Sequence, residues 1–299
     1  MASVGDLLDD GAARLAARRV GSCRLDAELL LAAAAGISRS SLLARRAEPV
    51  PGGVRERFEA YLARREEREP IAYILGVKEF WSLDFEVNHD VLVPRPDTEW
   101  VVHETLRVLG VRDEKAGEGP PPSPPIVVDV GTGAGPIAVA IARERPDAVV
   151  HATDVSVKAL EVARRNAARH GVGNRIRFHQ GDLLDPILTA GLEGRIDVVA
   201  SNPPYVAELE TVDPEVLRWE PRRAVFAGAT GSEVIERLLP QAARALAPEG
   251  WLVMEIASGG KSTLLDLLDR AGGWGSVQVR EDYARLPRVV TARRWGGGA

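Results

Sequence analysis

The sequence predicts an α/β fold, in which a small helical domain and a β-hairpin precede a larger domain built on a mostly parallel sheet. Apolar residues recur at helical spacing through residues 1–75, and strand-like apolar runs alternate with helical segments after residue 125. Between these regions, the stretch DEKAGEGPPPSPP over residues 113–125 has no large apolar residue and predicts a flexible linker or long loop. The expected organisation is a helical domain over 1–75, a hairpin, connecting helix and proline-rich linker over 76–125, and the sheet domain over 126–299.

The N-terminal region is expected to form short amphipathic helices, because its apolar residues recur every three or four positions. The last of these helices should end before Pro70, since proline lacks the N–H that a helix interior requires. The residues that mark the helices are Leu7, Leu8, Ala12, Leu15 and Ala16, then Leu25, Leu29, Leu30 and Ala33, then a cap at Ser38 or Ser40, and finally Val54, Phe58, Tyr61 and Leu62.

A hairpin is predicted between the helical domain and the linker. Alternating apolar residues from Phe80 to Val87 indicate its first strand, residues Asn88 to Asp90 its turn, and Val91 to Val93 its second strand. Asp97 or Thr98 then caps the connecting helix.

The region after the linker alternates strands with helices, which favours a sheet covered by helices on both faces. The predicted strands are Ile126–Val130, Val149–Thr153, Ile176–His179, Ile196–Ser201, Trp251–Ile256, Ser276–Arg280 and Val289–Arg293. The predicted helices are Pro136–Arg145, Ser156–His170, Ser232–Leu246 and Lys261–Ala271. In such sheets, ligands bind beyond the carboxyl ends of the strands, where the strand order reverses.

Composition argues against several classes of protein. The formal net charge of −5 lacks the basic excess of a protein that holds nucleic acid through phosphates, so no direct contact with nucleic acid is expected. The single cysteine, Cys23, cannot form an intrachain disulfide and favours the reducing cytoplasm. No signal peptide is expected, and no apolar run approaches the roughly 20 residues of a membrane span. The five histidines show no metal-ligand spacing, so no metal is expected.

A glycine-rich turn follows the first predicted strand of the sheet domain. Glycine permits positive φ and close approach of the backbone to a ligand, and Pro136 favours the start of a helix. The spacing is G-x-G-x-G, whereas dinucleotide-binding proteins have G-x-G-x-x-G. A purely structural strand-to-helix turn is the alternative interpretation. The residues expected to contact a ligand here are Asp129, Gly131, Thr132, Gly133, Ala134 and Gly135.

Two further acidic residues follow the next strands. Asp154 closes the second strand, where a carboxylate can accept both hydrogen bonds of a ribose diol. Because NAD and S-adenosylmethionine both carry that diol, Asp154 does not choose between them, and it can also cap the following helix. After the third strand, Asp182 is expected to accept an adenine amino group and Leu183 to cover a face of the base. An ordinary loop aspartate is the alternative for Asp182.

The tetrapeptide Asn202-Pro203-Pro204-Tyr205 directly follows the strand Ile196–Ser201 and suits methylation of an amide. An amide nitrogen is a poor nucleophile because its lone pair is delocalised into the carbonyl, so an enzyme must aim that lone pair at the methyl group of a sulfonium. The Asn202 side-chain oxygen and the Pro203 backbone carbonyl can accept the two amide hydrogens, while Tyr205 can stack on the planar amide. We therefore expect Asn202, Pro203 and Tyr205 to be catalytic, and Pro204 to share in substrate binding by stiffening the loop. A proline-rich turn without function is the alternative.

These motifs together resemble those of the class I, Rossmann-like methyltransferases, which modify amino groups on planar systems. An asparagine at the start of the tetrapeptide, in place of aspartate, resembles the branch that methylates glutamine and some adenine targets. Several other segments look like those of the peptide chain release factor glutamine-N5 methyltransferases, so that the resemblance covers nearly the whole chain. These segments are Asp26–Leu31, Arg68–Gly76 with Phe80-Trp81, Val91–Glu99, Glu220-Pro221 and Leu286–Val289.

The resemblance implies a seven-stranded Rossmann-like domain, S-adenosylmethionine as cofactor, and a particular substrate, the glutamine of the Gly-Gly-Gln loop of bacterial class I release factors. It also implies that the glycine-rich loop, Asp154 and Asn202 bind the cofactor, and that the segment from Asn202 to Tyr205 holds the substrate glutamine. The N-terminal helices are then expected to recognise the release factor, and the protein is expected to be a monomer.

Several alternatives stay open at the level of sequence. An enzyme that methylates a glutamine of a ribosomal protein would share the tetrapeptide, so only the N-terminal half separates the two. An N6-adenine methyltransferase of DNA or RNA would need a basic target-recognition region, which this chain with its net charge of −5 lacks. A module that binds S-adenosylmethionine without turnover would not need an intact tetrapeptide, and a dehydrogenase fits the glycine spacing worst.

Overall fold

The computed structural model describes residues 2–115, 123–282 and 284–296. The chain forms two compact units. The first consists of Met1–Val77 with Asp213–Trp219, and the second of Lys78–Val212 with Glu220–Ala299. A short segment from the second half of the chain therefore belongs to the N-terminal unit.

The N-terminal unit is helical, as the apolar periodicity predicts. Ser3 begins the first helix with a capping box, in which its hydroxyl accepts from the Asp6 N–H while the Asp6 carboxylate accepts from the Ser3 N–H. Ser38, rather than Ser40, caps the third helix by accepting from the Ser41 N–H. The short helix after Pro70 is an addition to the prediction. The helices are α1 Val4–Ala17, α2 Cys23–Ala35, α3 Arg39–Ala44, α4 Gly52–Glu66 and α5 Ile71–Leu75, joined by Pro214–Trp219.

A buried ion pair lies inside this unit. Arg65 on α4 is only 5% exposed and donates to the equally buried Asp26 of α2 at 2.7 Å. Its guanidinium also lies 3.0 Å from the carboxylate of Glu215, in the segment that returns from the second half of the chain. Arg68 adds a second contact to Glu215 at 3.2 Å. Arginine at position 65 therefore balances two acidic groups that lie far apart in sequence.

Arg65→Ala should destabilise the protein by about 3–5 kcal/mol, because it leaves the buried Asp26 carboxylate without its cation. The matched control is Arg55→Ala on the same helix, where the arginine is exposed and the expected change is within about 0.5 kcal/mol. Urea unfolding followed by circular dichroism measures both variants. Equal stability of the two variants would show that the buried pair contributes nothing net.

The hairpin exists, but the prediction of its turn and second strand is wrong. The strands are β1 Val77–Phe80 and β2 Leu83–Glu86, joined by Trp81 and Ser82 with φ of 55° and 56°. Two consecutive residues with positive φ match the twist of a two-residue hairpin turn, and the Glu79 side chain supports it by accepting from the Ser82 N–H at 2.9 Å. The predicted strand over residues 91–93 is irregular backbone instead. Neither residue of the real turn is a glycine or asparagine, which is why the sequence pattern did not reveal it.

The connecting helix starts after a 3-10 turn at Pro96–Thr98 and runs as α6 over Glu99–Lys115. It therefore continues three residues into the segment 113–125 that the composition predicts as linker. Residues 116–122 of that predicted linker lie outside the described residues.

The second unit contains a seven-stranded sheet in the order β10-β11-β9-β6-β3-β4-β5, in which β11 runs antiparallel to β9 and β10. This confirms the predicted α/β fold, and each of the seven predicted strands is present in the sheet. Strand β9 begins at Leu246 instead of Trp251. The strands are β3 Ile126–Val130, β4 Val149–Asp154, β5 Ile176–Gln180, β6 Ile196–Ser201, β7 Val206–Ala207, β8 Phe226–Gly228, β9 Leu246–Glu255, β10 Trp274–Glu281 and β11 Pro287–Arg294, with β7 and β8 forming a separate pair.

Helices cover both faces of this sheet. On β3, Val127 packs into the core beneath α6 and α7, while Val128 packs into the core beneath α12 and α13. The helices are α7 Pro136–Glu144, α8 Val157–Arg169, α9 Asp185–Thr189, α10 Pro214–Trp219, α11 Arg222–Val225, α12 Glu233–Ala245 and α13 Lys261–Ala271. Within the described parts of the chain, no helix combines the length and apolar composition that a membrane crossing requires.

The sheet topology fixes where a ligand can bind. Strand β3 lies between β4 and β6, so the chain moves outward in one direction after β3 and in the other direction after β5. The loops that follow β3 and β6 therefore diverge and leave a crevice beyond the carboxyl ends of the strands.

Candidate active site

A cavity of about 370 Å³ occupies this crevice in the second unit, within the usual size range of small-molecule sites. Seven of the residues predicted from sequence line it: Gly131, Gly133, Asp154, Asp182, Leu183, Asn202 and Pro204. The other predicted residues, Asp129, Thr132, Ala134, Gly135, Pro203 and Tyr205, lie close to it in sequence without forming its lining.

The glycine-rich loop is held by the end of the neighbouring strand. The N–H groups of Gly131 and Thr132 both donate to the Thr153 carbonyl at 2.9 Å. Gly131 and Gly133 have φ of 72° and 56°, so these positions need glycine for their backbone conformation. Gly135 has a further constraint, because a Cβ there would lie 3.2 Å from the Cβ of Ala163 on α8. The glycines therefore let the loop pass closely between the cavity and the helices.

Asp129 supports the loop from beneath. Its fully buried carboxylate accepts from the Thr132 hydroxyl at 2.6 Å and from the Ala138 N–H at 3.1 Å, both through Oδ2. Burial raises the pKa of Asp129 to about 7, against the lowering effect of these two hydrogen bonds. The second oxygen, Oδ1, is buried and has no hydrogen-bond partner among the described residues. The geometry therefore shows a loop-supporting role for Asp129 and Thr132.

Asp154 lies in the cavity wall at the end of β4. Its two oxygens accept from the Gly133 N–H at 2.9 Å and the Ser156 N–H at 2.8 Å. The carboxylate thus connects the glycine-rich loop to the start of α8. Burial raises the pKa of Asp154, while the two backbone donors and the positive charge of Arg223 oppose that shift. Each carboxylate oxygen has a second lone pair that a ribose hydroxyl can use.

Asp154→Ala should weaken binding of an adenosine-containing cofactor by roughly 1–3 kcal/mol, because ribose hydroxyls and the Gly133 N–H lose their acceptor. Asp147→Ala is the matched control. That aspartate precedes the same strand at its opposite end and pairs with the nearby Arg145. Titration calorimetry measures the affinity, and thermal unfolding checks that both variants are folded. Unchanged affinity in Asp154→Ala would remove this carboxylate from the binding site.

Asp182 and Leu183 line the cavity from the loop after β5, next to the end of β4. The Asp182 Oδ2 accepts from the guanidinium of Arg237, a cavity residue on α12, at 2.5 Å. Leu183 has a φ of 47°, which is unusual for a residue with a branched side chain. The ion pair holds the loop after β5 against α12, and this conformation places the leucine side chain in the lining.

The tetrapeptide after β6 divides between the cavity and the protein interior. Asn202 and Pro204 line the cavity, whereas Pro203 is buried and Tyr205 lies half-buried beside a neighbouring pocket. A Cβ on Gly231 would come within 2.7 Å of the Tyr205 carbonyl oxygen, so a glycine there lets the backbone after the tetrapeptide pack closely.

A buried hydrogen-bond network behind Asn202 was not predicted. The Asn202 Nδ2 donates to the Thr98 Oγ1 at 2.9 Å, and Thr98 donates to the Glu255 Oε2 at 2.6 Å. Tyr205 donates its hydroxyl hydrogen to the other Glu255 oxygen at 3.2 Å. Burial raises the pKa of Glu255 to about 7, against the effect of the Thr98 and Tyr205 hydrogen bonds. The sequence offered one signal, an acidic residue at the end of β9, where the pattern of a strand inside the sheet otherwise calls for apolar residues.

Sequence reasoning also missed part of the cavity wall. Residues Asp90 to Leu92, which the hairpin prediction had placed in a turn and strand, form one side of it. Arg223 and Phe226, from α11 and β8, form another. These short elements follow the tetrapeptide and have no periodicity long enough to read from sequence.

The strand order, the antiparallel β11 and the glycine-rich loop beside the cavity define a class I, S-adenosylmethionine-dependent methyltransferase. Solved structures show the same fold. A methyltransferase from Pyrococcus furiosus superposes with a TM-score of 0.50 at 21% identity, over 80% of this chain and 98% of that one. The catalytic domain of hMettl16, solved with an RNA hairpin, gives a TM-score of 0.56 at 16% identity, over 79% of this chain and 80% of that one.

Sequence similarity shows which family of class I methyltransferases the chain belongs to. The family model described as the PrmC N-terminal domain matches residues 6–76, and the methyltransferase small domain matches residues 122–218. The chain is 38% identical to the release factor glutamine methyltransferase of Geobacter sulfurreducens, over 97% of this chain and 96% of that protein. It is 39% identical to the protein of the same name from Deinococcus radiodurans, over 98% of this chain and 99% of that protein. The chain belongs to the family of release factor glutamine methyltransferases.

S-adenosylmethionine is accordingly the cofactor, and the cavity fits it. The lining is mostly apolar, and its three carboxylate residues are Asp90, Asp154 and Asp182. Asp154 lies beside the glycine-rich loop, where it can accept from a ribose diol. At Gly131 and Gly133, a side chain would point into open space, so the backbone there is accessible to a ligand.

Proposed function

We propose that this protein transfers a methyl group from S-adenosylmethionine to the side-chain amide nitrogen, N5, of the glutamine in the Gly-Gly-Gln motif of peptide chain release factors. The observation that carries the proposal is the orientation of Asn202 in the cavity wall. Its amide nitrogen is engaged by Thr98, which leaves the side-chain oxygen as the acceptor offered to a substrate N–H. The names of the relatives support a release factor glutamine as the target.

In this proposal, the residues of the cavity wall bind the cofactor. Asp154 accepts from the ribose diol, the loop Gly131–Gly135 passes beside the cofactor, and Asp182 and Leu183 contact the adenine. S-adenosylmethionine supplies an electrophilic methyl group on a sulfonium sulfur. The cavity wall is mostly apolar, so few polar groups of the protein compete with those that hold the ligands.

The substrate side depends on the tetrapeptide. Asn202 Oδ1 and the Pro203 carbonyl each accept one hydrogen of the glutamine NH₂, so that the nitrogen lone pair faces the methyl group. Tyr205 is the candidate for stacking on the amide plane, with its hydroxyl held by Glu255. A strong general base is not needed before transfer, because the nitrogen becomes acidic as it is methylated. Pro203 and Pro204 restrict the backbone and keep the two acceptors in a fixed geometry.

Asn202→Ala should reduce single-turnover methylation of a release factor by about 10²-fold or more, because the glutamine nitrogen loses the acceptor that orients it. Asn202→Asp keeps an acceptor and should retain part of the activity. Cofactor affinity should change much less in both variants, since Asp154 and the glycine-rich loop remain. The matched control is Asn174→Ala, at an exposed asparagine. A wild-type rate for Asn202→Ala would contradict the proposed chemistry.

We further propose that residues 1–75 form the domain that recognises the release factor. The N-terminal unit exposes large apolar side chains, Leu25 at 42% and Leu43 at 37%. None of the described residues in the range 1–75 lines the cofactor cavity. Apolar residues exposed on a helical surface are available for a protein partner. We expect the active species to be a cytoplasmic monomer that contacts no nucleic acid directly.

The variant Leu25→Glu/Leu43→Glu should raise the KM for an intact release factor at least about tenfold, which corresponds to roughly 1.4 kcal/mol of lost binding. Methylation of a short Gly-Gly-Gln peptide should not change, because the peptide has no surface for this domain to contact. Leu286→Glu, at an exposed leucine of the other unit, is the control. The proposal fails if intact factor and peptide respond equally to the double substitution.

A further inference from the structure

We propose that Thr98 and Glu255 are positioning residues that fix which end of the Asn202 amide faces the substrate glutamine. The inference rests on the proposed function, because it assigns a task to residues behind the site of amide methylation. Neither side chain lines the cavity, so both would act through Asn202.

The argument starts from an ambiguity of asparagine. The oxygen and nitrogen of its amide have nearly the same shape, so only their hydrogen-bond partners decide which way the group points. Thr98 makes that decision here. A hydroxyl has a single hydrogen, and Thr98 donates it to Glu255 at 2.6 Å. Only lone pairs of the hydroxyl oxygen remain for Asn202, so Asn202 must turn its NH₂ toward Thr98 and its oxygen toward the cavity.

Burial makes this chain of hydrogen bonds directional. Thr98 and Glu255 are each 2% exposed, so water does not compete for their polar atoms. A carboxylate can only accept, and a hydrogen bond from a hydroxyl to a carboxylate is among the stronger kinds in proteins. The other Glu255 oxygen accepts from Tyr205, so one carboxylate orients both the first and the last residue of the tetrapeptide.

The orientation matters for the chemistry. With its oxygen toward the cavity, Asn202 accepts an N–H of the glutamine and helps aim the nitrogen lone pair at the methyl donor. With the amide reversed, an NH₂ would face the NH₂ of the glutamine, and two donors repel each other. Asn202 can therefore support methylation only in the orientation that Thr98 imposes.

The charge of Glu255 decides the direction of the hydrogen bonds that run from Asn202 to Thr98 and from Thr98 to Glu255. Asp97 raises the pKa of Glu255 and Arg288 lowers it, while Arg288 itself pairs with Asp282 at 2.8 Å and Asp97 at 3.2 Å. A protonated Glu255 can donate to Thr98, which frees the hydroxyl hydrogen to turn toward Asn202 and allows the amide to reverse. Since burial raises the pKa of Glu255 to about 7, turnover should rise with pH through that value as the carboxylate forms.

The first test compares three threonine variants of the full-length chain on an intact release factor. Thr98→Val keeps the shape and removes the hydroxyl, and it should lower kcat roughly 10- to 100-fold with KM and cofactor affinity nearly unchanged. Thr98→Ser restores a hydroxyl and should recover most of that loss. Thr105→Val is the matched control on α6, because the buried Thr105 hydroxyl has no partner among the described residues. Thermal unfolding of all three separates misfolding from mispositioning.

The second test asks whether Thr98 acts through Asn202. If it does, the double variant Thr98→Val/Asn202→Ala should be no slower than Asn202→Ala alone, because the residue to be oriented is already gone. Glu255→Gln should be slow and should lose the rise of kcat with pH around 7, since no carboxylate can form.

The outcomes separate the two proposals. If the wild-type chain leaves the release factor glutamine unmethylated, both the proposed function and the positioning role of Thr98 and Glu255 are overturned. If the wild type is active and Thr98→Val is fully active as well, only the positioning role is overturned. The same holds if the wild type is active and the losses in the double variant are additive. A kcat loss in Thr98→Val that serine recovers, together with a non-additive double variant, supports it.

Discussion

The buried carboxylate of Glu255 joins three segments of the chain that lie far apart in sequence. It accepts from Thr98, which precedes α6, and from Tyr205, which follows β6, while Glu255 itself ends β9. Burying a carboxylate is costly unless donors satisfy it. The donors are available only when the turn before α6, the tetrapeptide and strand β9 are all in place. The geometry around Asn202 therefore depends on the tertiary fold and cannot be formed by the tetrapeptide alone.

Much of the sheet domain could be predicted because its signals are local. Buried parallel strands need continuous apolar runs, and the runs at Ile126–Val130 and Ile196–Ser201 match the observed strands to the residue. The glycine-rich loop was readable for the same reason, since positive φ at Gly131, Gly133 and Gly135 calls for glycine at those positions. Asp154 follows from its place at a strand end. The cavity lining at these positions is thus largely a consequence of strand boundaries.

The hydrogen-bond network behind Asn202 and the hairpin turn could not be predicted from local sequence patterns. Thr98 and Glu255 lie 157 positions apart in the sequence. No pattern in the residues next to either one predicts their contact. The hairpin turn uses Trp81 and Ser82 at positive φ, a conformation that residues with side chains rarely adopt. Asp182 was expected to be available to adenine, but the fold also places Arg237 beside it. The network required a partner far away in sequence, and the turn required a backbone conformation that its residue types disfavour.

The choice of asparagine at position 202 explains why such a network is useful. A carboxylate at this place would present an acceptor whichever way it turned, and would need no orientation. Beside a sulfonium, however, its negative charge would attract the cation in the ground state, and its oxygens would compete with the glutamine nitrogen for the methyl group. A neutral amide oxygen avoids both effects but brings a donor on the same side chain. The hydrogen bond from Asn202 to Thr98 directs the NH₂ group toward Thr98, and the buried Glu255 keeps the hydroxyl hydrogen of Thr98 turned away from Asn202. Neutrality at the methyl-transfer site is thus linked to a buried charge at the end of strand β9.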